Sequence, residues 1–119
     1  MKKYGIIHVE LPVTDAPASS QFYRNLFDWQ FRTNPEQSYG LLDTGEISAA
    51  LNPVRDELTE PGHPLIYVAS QDVDADLARA EKLGAEVIVP RTPIPGVGWL
   101  GIFEDPAGNQ IGLLQLVGG

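Results

Sequence analysis

The sequence carries one plan twice, at an offset of 57 residues, and that repetition narrows the folds open to it. Shifting the chain by 57 residues lays Asp15 on Asp72, Ala18 on Ala75 and Leu26 on Leu83. Each copy opens on an apolar strand, at 5–13 and 65–69. Asp15 or Asp72 then caps a helix, and Pro17 suits a first turn, where a missing N–H costs nothing. In the first helix Ala18, Phe22, Leu26 and Trp29 fall on one face, widened by Tyr23 and Phe27. In the second, Val73, Leu77, Ala80 and Leu83 form the face, Asp74 and Asp76 complement the dipole, and Gly84 ends the helix. Three strands follow each helix, at 30–33, 39–44 and 47–51 and at 86–89, 99–103 and 111–116. Gly45, the proline-rich RTPIPG and Asp105-Pro106-Ala107-Gly108 mark turns. The polar stretch NPVRDELTEPGH joins the halves. The expected fold class is α+β: two βαβββ modules, 4–52 and 64–117, with a linker at 53–63, in one domain of 119 residues. Helices on one face of the mixed sheet leave the other free to curve around a ligand.

Charge narrows the partners. Against 8 Lys and Arg stand 16 Asp and Glu, a net charge of −8, which disfavours nucleic acid and anionic membrane surfaces. Cationic or neutral small molecules are not repelled. The absence of cysteine excludes disulfides, thiolate metal sites and a cysteine nucleophile, and fits a reducing cytoplasm. Glu10 and Pro12 interrupt the apolar run near the first residue, so a signal peptide is not expected, nor is any membrane helix. Neither a phosphate-binding glycine loop nor a G-x-S-x-G elbow occurs.

The stretches HVELPVTDAPASSQFYRNLFDW, DVDADLARAEKLGAEV and EDPAGNQIGLLQL, in this order, resemble the vicinal oxygen chelate superfamily of glyoxalase I, bleomycin-resistance proteins and extradiol dioxygenases. The FY-x-x-x-F-x-W and DP-x-G-N pieces carry the resemblance together, and it covers nearly the whole chain. It implies paired βαβββ modules forming a cup-shaped sheet with helices outside, and a homodimer. Many members hold a divalent metal with four ligands, one each from the first and last strand of either module. Carried onto this chain, that set leaves His8 alone. Leu65 stands at the matching position of module two, Ala49 or Ala50 on the last strand of module one, and Gly112 on the last strand of module two. A borderline divalent ion needs several N or O donors. The expectation is therefore no metal and no cofactor.

His8 and Glu10 lie two apart on a strand and share a face. If His8 faces the cup, so does Glu10, as a hydrogen-bonding or general acid/base pair; the other reading is a structural pair fixing the strand. His63, near the vacated position at Leu65, reads as a replacement ligand or a surface histidine. Tyr67, Trp99, Phe103 and Tyr39 would line a cup suited to a flat or apolar ligand, or else pack in the core, where Trp29 belongs. Arg91 to Gly96 would border the cup mouth or serve as a stiff connection. Two functions remain. One is a bleomycin-resistance-like protein binding a small organic molecule. The other is a glyoxalase-like lyase or isomerase using His8 and Glu10. An interaction module with a vestigial cup is a third.

Overall fold

The computed structural model describes residues 3–27, 29–31, 40–43, 47–53 and 63–117. Its elements are β1 (Ile6–Val13), α1 (Ala16–Phe27), β2 (Gln30–Phe31), β3 (Gly40–Asp43), β4 (Ser48–Pro53), β5 (Leu65–Ala69), α2 (Val73–Lys82), β6 (Glu86–Ile94), β7 (Gly98–Glu104) and β8 (Gln110–Leu116). The chain is α+β, and the βαβββ order occurs twice. It divides into two compact units, one of His8–Leu65 and one of Met1–Ile7 with Ile66–Gly119.

In the first unit the strands run β2-β3-β4-β1. β1 and β4 are parallel, and β3 is antiparallel to β2 and β4. Such a parallel pair needs a long crossover, which α1 and two strands supply. Asp15 caps α1 as expected: its carboxylate accepts from Ala18 N at 3.0 Å. Val13, Ala49 and Leu51 form the buried core, with Leu11, Ala16, Tyr23 and Trp29 packed against it. The buried face of α1 differs from the expected one. Phe22 and Leu26 are each 58% exposed, while Ala16, Ser20 and Tyr23 turn inward. The reason is Trp29, which lies beyond the helix end, so the helical spacing does not place it. Its ring instead stacks on Tyr23, with centroids 5.3 Å apart, and draws the buried face one residue round the helix. The buried Ser20 hydroxyl is satisfied by donating to Pro17 O at 2.9 Å.

In the second unit the strands run β5-β8-β7-β6, with β5 and β8 parallel and the other pairs antiparallel. The chain start joins this unit, since Ala69 N donates to Gly5 O at 2.8 Å. Asp72 caps α2 by accepting from Ala75 N at 3.1 Å, and the Gln115 side-chain oxygen accepts from Val73 N at 3.1 Å. Gly84, at φ +107°, ends the helix where a side chain would be strained. Val73, Leu77 and Leu113 are buried together. A Cβ at Gly101 would stand 2.8 Å from Val73 Cγ1, so glycine lets the helix approach β7. Leu83, expected on the buried face, is 77% exposed because the helix has already ended at Lys82.

β6 is longer than expected. RTPIPG was expected to close the strand, yet pairing with β7 continues through Pro90 and Pro93 to Ile94. β6 is the edge of this strand set, so a proline can face outward without breaking a ladder on a second side, and two register shifts absorb the mismatch. The turn falls at Pro95-Gly96, where Val97 N donates to Ile94 O at 3.0 Å. The 105–108 turn forms as expected, with Gly108 N donating to Asp105 O at 2.9 Å. The turn at Gly45 and residues 54–62 of the linker lie outside the described residues.

Candidate functional site

The parallel register of β1 and β4 pairs His8 with Ser48, Glu10 with Ala50 and Pro12 with Asn52. Side chains alternate along a strand, so these six share one face. Val13, Ala49 and Leu51 belong to the other face, packed under α1. On β1 and β4 the polar side chains His8, Glu10, Ser48 and Asn52 therefore lie on the face away from α1.

Those groups form a chain. His8 Nδ1 lies 2.8 Å from Ser48 Oγ. His8 Nε2 lies 3.6 Å from Glu10 Oε2, an ion-pair distance rather than a hydrogen bond. Asn52 Nδ2 donates to Glu10 Oε1 at 3.2 Å. A carboxylate only accepts, so one standing beside Nε2 favours the tautomer that carries its proton there. In the neutral ring Nδ1 is then the acceptor, and the Ser48 hydroxyl donates to it. His8 is 8% exposed whereas Ser48 is open to solvent. The ring is thus held between a half-buried acid and an accessible hydroxyl.

Sequence reading singled out His8 and Glu10, which the structure brings together. It missed Ser48 and Asn52. Their spacing at i and i+4 on a strand was visible, but nothing in the sequence showed that this strand lies parallel to β1 in that register.

The four-ligand metal set implied by the family does not fit these residues. Of the two alanines considered, Ala50 shares the His8 face, and it offers no donor. Gly112 offers none either. The Tyr67 ring covers it so closely that even a Cβ would run into Cδ1 and Cε1. Leu65 is buried and apolar. Among the described residues no three His, Cys, Asp or Glu come together as a metal site would require.

The aromatic candidates separate. Tyr67, 5% exposed, faces away from α2 over Gly112. Trp99 and Phe103 pack against the core of Val73, Leu77 and Leu113 under α2. They were expected beside Tyr67, but strand parity decides otherwise. Gly112 pairs with Ile102, so Tyr67 shares a face with Ile102, and Trp99 and Phe103 point to the other side. Arg91 lies over the Trp99 ring, its guanidinium 4.7 Å from the centroid. Tyr39 lies outside the described residues. His63 is exposed at the start of the second module. No helix among the described residues is long and apolar enough to cross a membrane.

Comparison with known proteins bears on this arrangement. The CFP32 protein of Mycobacterium bovis, named as a glyoxylase, is 32% identical over 114 residues, covering 90% of this chain and 44% of its own length. The anthracycline biosynthesis protein DnrV of Streptomyces peucetius is 30% identical over 116 residues, covering 83% of this chain and 42% of its own. The chain thus spans less than half the length of these curated relatives. Among solved structures, a hypothetical protein of Bacillus halodurans C-125 superposes with a TM-score of 0.74 at 14% identity, covering 96% of this chain and 95% of that one. A Streptomyces coelicolor methylmalonyl-CoA epimerase superposes at 0.67 with 22% identity, covering 98% and 97%. These structural likenesses establish a shared fold. Residues 5–113 match the family model, and the chain belongs to the Glyoxalase/Bleomycin resistance protein/Dioxygenase superfamily.

Proposed function

We propose that this protein binds a small organic molecule at the His8 face of its first unit, without a metal ion. The supporting observation is the continuous chain Ser48–His8–Glu10–Asn52, which occupies the face where metal-dependent relatives of this fold are expected to place ligands. A histidine already engaged at both nitrogens is suited to hydrogen-bonding a polar group through Ser48 rather than to coordinating an ion. Tyr67, on the face of the second unit away from α2, is proposed as a ligand-binding aromatic of that unit taken by itself. The net charge of −8 favours a neutral or cationic ligand. A cytoplasmic homodimer is part of the same proposal, supported by the lack of cysteine and by the exposed Phe22, Leu26 and Phe27 on α1.

A second reading is a lyase or isomerase in which His8 and Glu10 move protons. It is supported by the glyoxylase name of the CFP32 relative and by the approach of the carboxylate to the imidazole. Calorimetric titration of a panel of small aromatic and carbonyl compounds into the wild type and His8→Ala separates the two. Binding without turnover, weakened about tenfold or more by His8→Ala, supports the first reading. Turnover that His8→Ala abolishes supports the second. Equal affinity for every ligand in both proteins refutes the site.

A further inference from the structure

We propose that Ser48 is a latent nucleophile that accepts an acyl group from small activated esters. The inference deepens the site proposed above, though it does not depend on the ligand bound there. Three observations carry it. Ser48 Oγ is 2.8 Å from His8 Nδ1, within the range of a nucleophile and its base. The base is oriented by a third group, since Glu10 Oε2 stands 3.6 Å from His8 Nε2 and is itself held by Asn52 at 3.2 Å. Ser48 is exposed while His8 is 8% exposed, so an ester meets the hydroxyl before it meets the ring. Nucleophile, base and orienting acid stand in the order of a Ser-His-acid triad, with the two imidazole nitrogens exchanged relative to the serine proteases.

Ser48 Oγ attacks the ester carbonyl carbon while its proton passes to His8 Nδ1. The Glu10 carboxylate facing Nε2–H stabilises the imidazolium. The tetrahedral adduct collapses, the C–O bond to the leaving group breaks, and the departing oxygen takes the proton from Nδ1. Acyl-Ser48 and a free alcohol or phenol result. β4 is paired on both edges, with β1 and β3, which engages its backbone amides in ladders. Among the described residues the acceleration therefore rests on base assistance, worth about 10²–10⁴-fold. Acylation is accordingly slow, and deacylation by water is slower, so the acyl-serine accumulates.

The test is incubation of the purified chain with p-nitrophenyl acetate, followed by intact-mass measurement and peptide mapping. The expected result is one acetyl group per chain on Ser48, with a matching burst of p-nitrophenolate. Ser48→Ala and His8→Gln should both abolish the adduct, and Glu10→Gln should slow it about 10–100-fold. Circular dichroism confirms that each variant is folded; Ser48→Ala, at an exposed position, is the safest of them. Acetylation elsewhere only, or acetylation of Ser48 at the same rate in His8→Gln, overturns the proposal. If labelling fails while His8→Ala still weakens ligand binding, the nucleophile falls and the binding site stands. If Ser48 is labelled but His8→Ala leaves binding unchanged, the reverse holds.

Discussion

Replacing Gly112 with Ala asks whether the second unit could accept any side chain at the position where this family's metal enzymes carry a ligand. An ideal Cβ there meets Tyr67 Cδ1 and Cε1 well inside van der Waals contact and stands 3.0 Å from Cγ. The obstacle is a rigid ring, not the tip of a flexible chain. Tyr67 is 5% exposed, so it cannot simply swing into solvent. Overpacking of this kind costs about 1–3 kcal/mol, and removing a strand glycine returns about 0.5–1 kcal/mol, leaving a net loss of about 1–2 kcal/mol. For a chain of this size that corresponds to a drop of about 3–8 °C in Tm. Urea unfolding followed by circular dichroism reads it as a lowered midpoint at unchanged m. A double-mutant cycle locates the cause. Tyr67→Ala costs about 3–5 kcal/mol alone, but in its presence Gly112→Ala should be neutral or stabilising. An equal penalty in both backgrounds would mean that the ring is not the obstacle, and the steric case against a ligand at Gly112 would fail.

Other outcomes follow from the same structure. Val73→Ala, at a fully buried position, should cost about 2 kcal/mol in urea unfolding, whereas Leu83→Ala, 77% exposed, should stay within about 0.5 kcal/mol. Asp105 accepts from Asn109 N and Ala107 N at 2.9 Å each; the Asn109 amide is the larger influence holding its carboxyl below the ordinary aspartate value. A lowered folded-state pKa gives stability that is present above the ordinary aspartate pKa and lost as pH falls through the lowered one, so the Tm gap between wild type and Asp105→Ala should be widest near neutrality and narrow on acidification. Phe22→Ser with Leu26→Ser should change monomer stability by less than about 1 kcal/mol because both side chains are exposed, and should weaken any dimer seen by light scattering. Dimer mass unchanged by the pair would remove α1 from the interface.

Periodicity exposed most of this fold because the elements that matter are local. Asp15 and Asp72 cap helices whose bonds are made within four residues, and the strand at Leu65–Ala69 is bounded by Pro64 and Ser70, where it was expected to stop. What depends on distant contacts was not legible. The buried side of α1 was set by Trp29 from beyond the helix end, and the continuation of β6 through two prolines by its place at an edge. The site shows the same division. His8 and Glu10 could be read from spacing along one strand, but Ser48 and Asn52 needed the parallel register of a strand 40 residues away. For Trp99 and Phe103 the sequence left cup lining and core packing both open, because parity within β7 cannot say which face meets α2; the close fit of Gly101 beneath Val73 does.

The proposed site turns on an imidazole engaged by Ser48 and Glu10 instead of by an ion. Long-range ¹H–¹⁵N correlation spectra of His8, assigned with His8→Gln and recorded before and after one equivalent of zinc, test it most directly. The expected spectrum is that of a ring whose neutral form carries its proton on Nε2, with Nδ1 accepting from Ser48, unchanged on adding zinc. A ring protonated at Nδ1, or a nitrogen that shifts to a coordinated value with stoichiometric zinc, would contradict it.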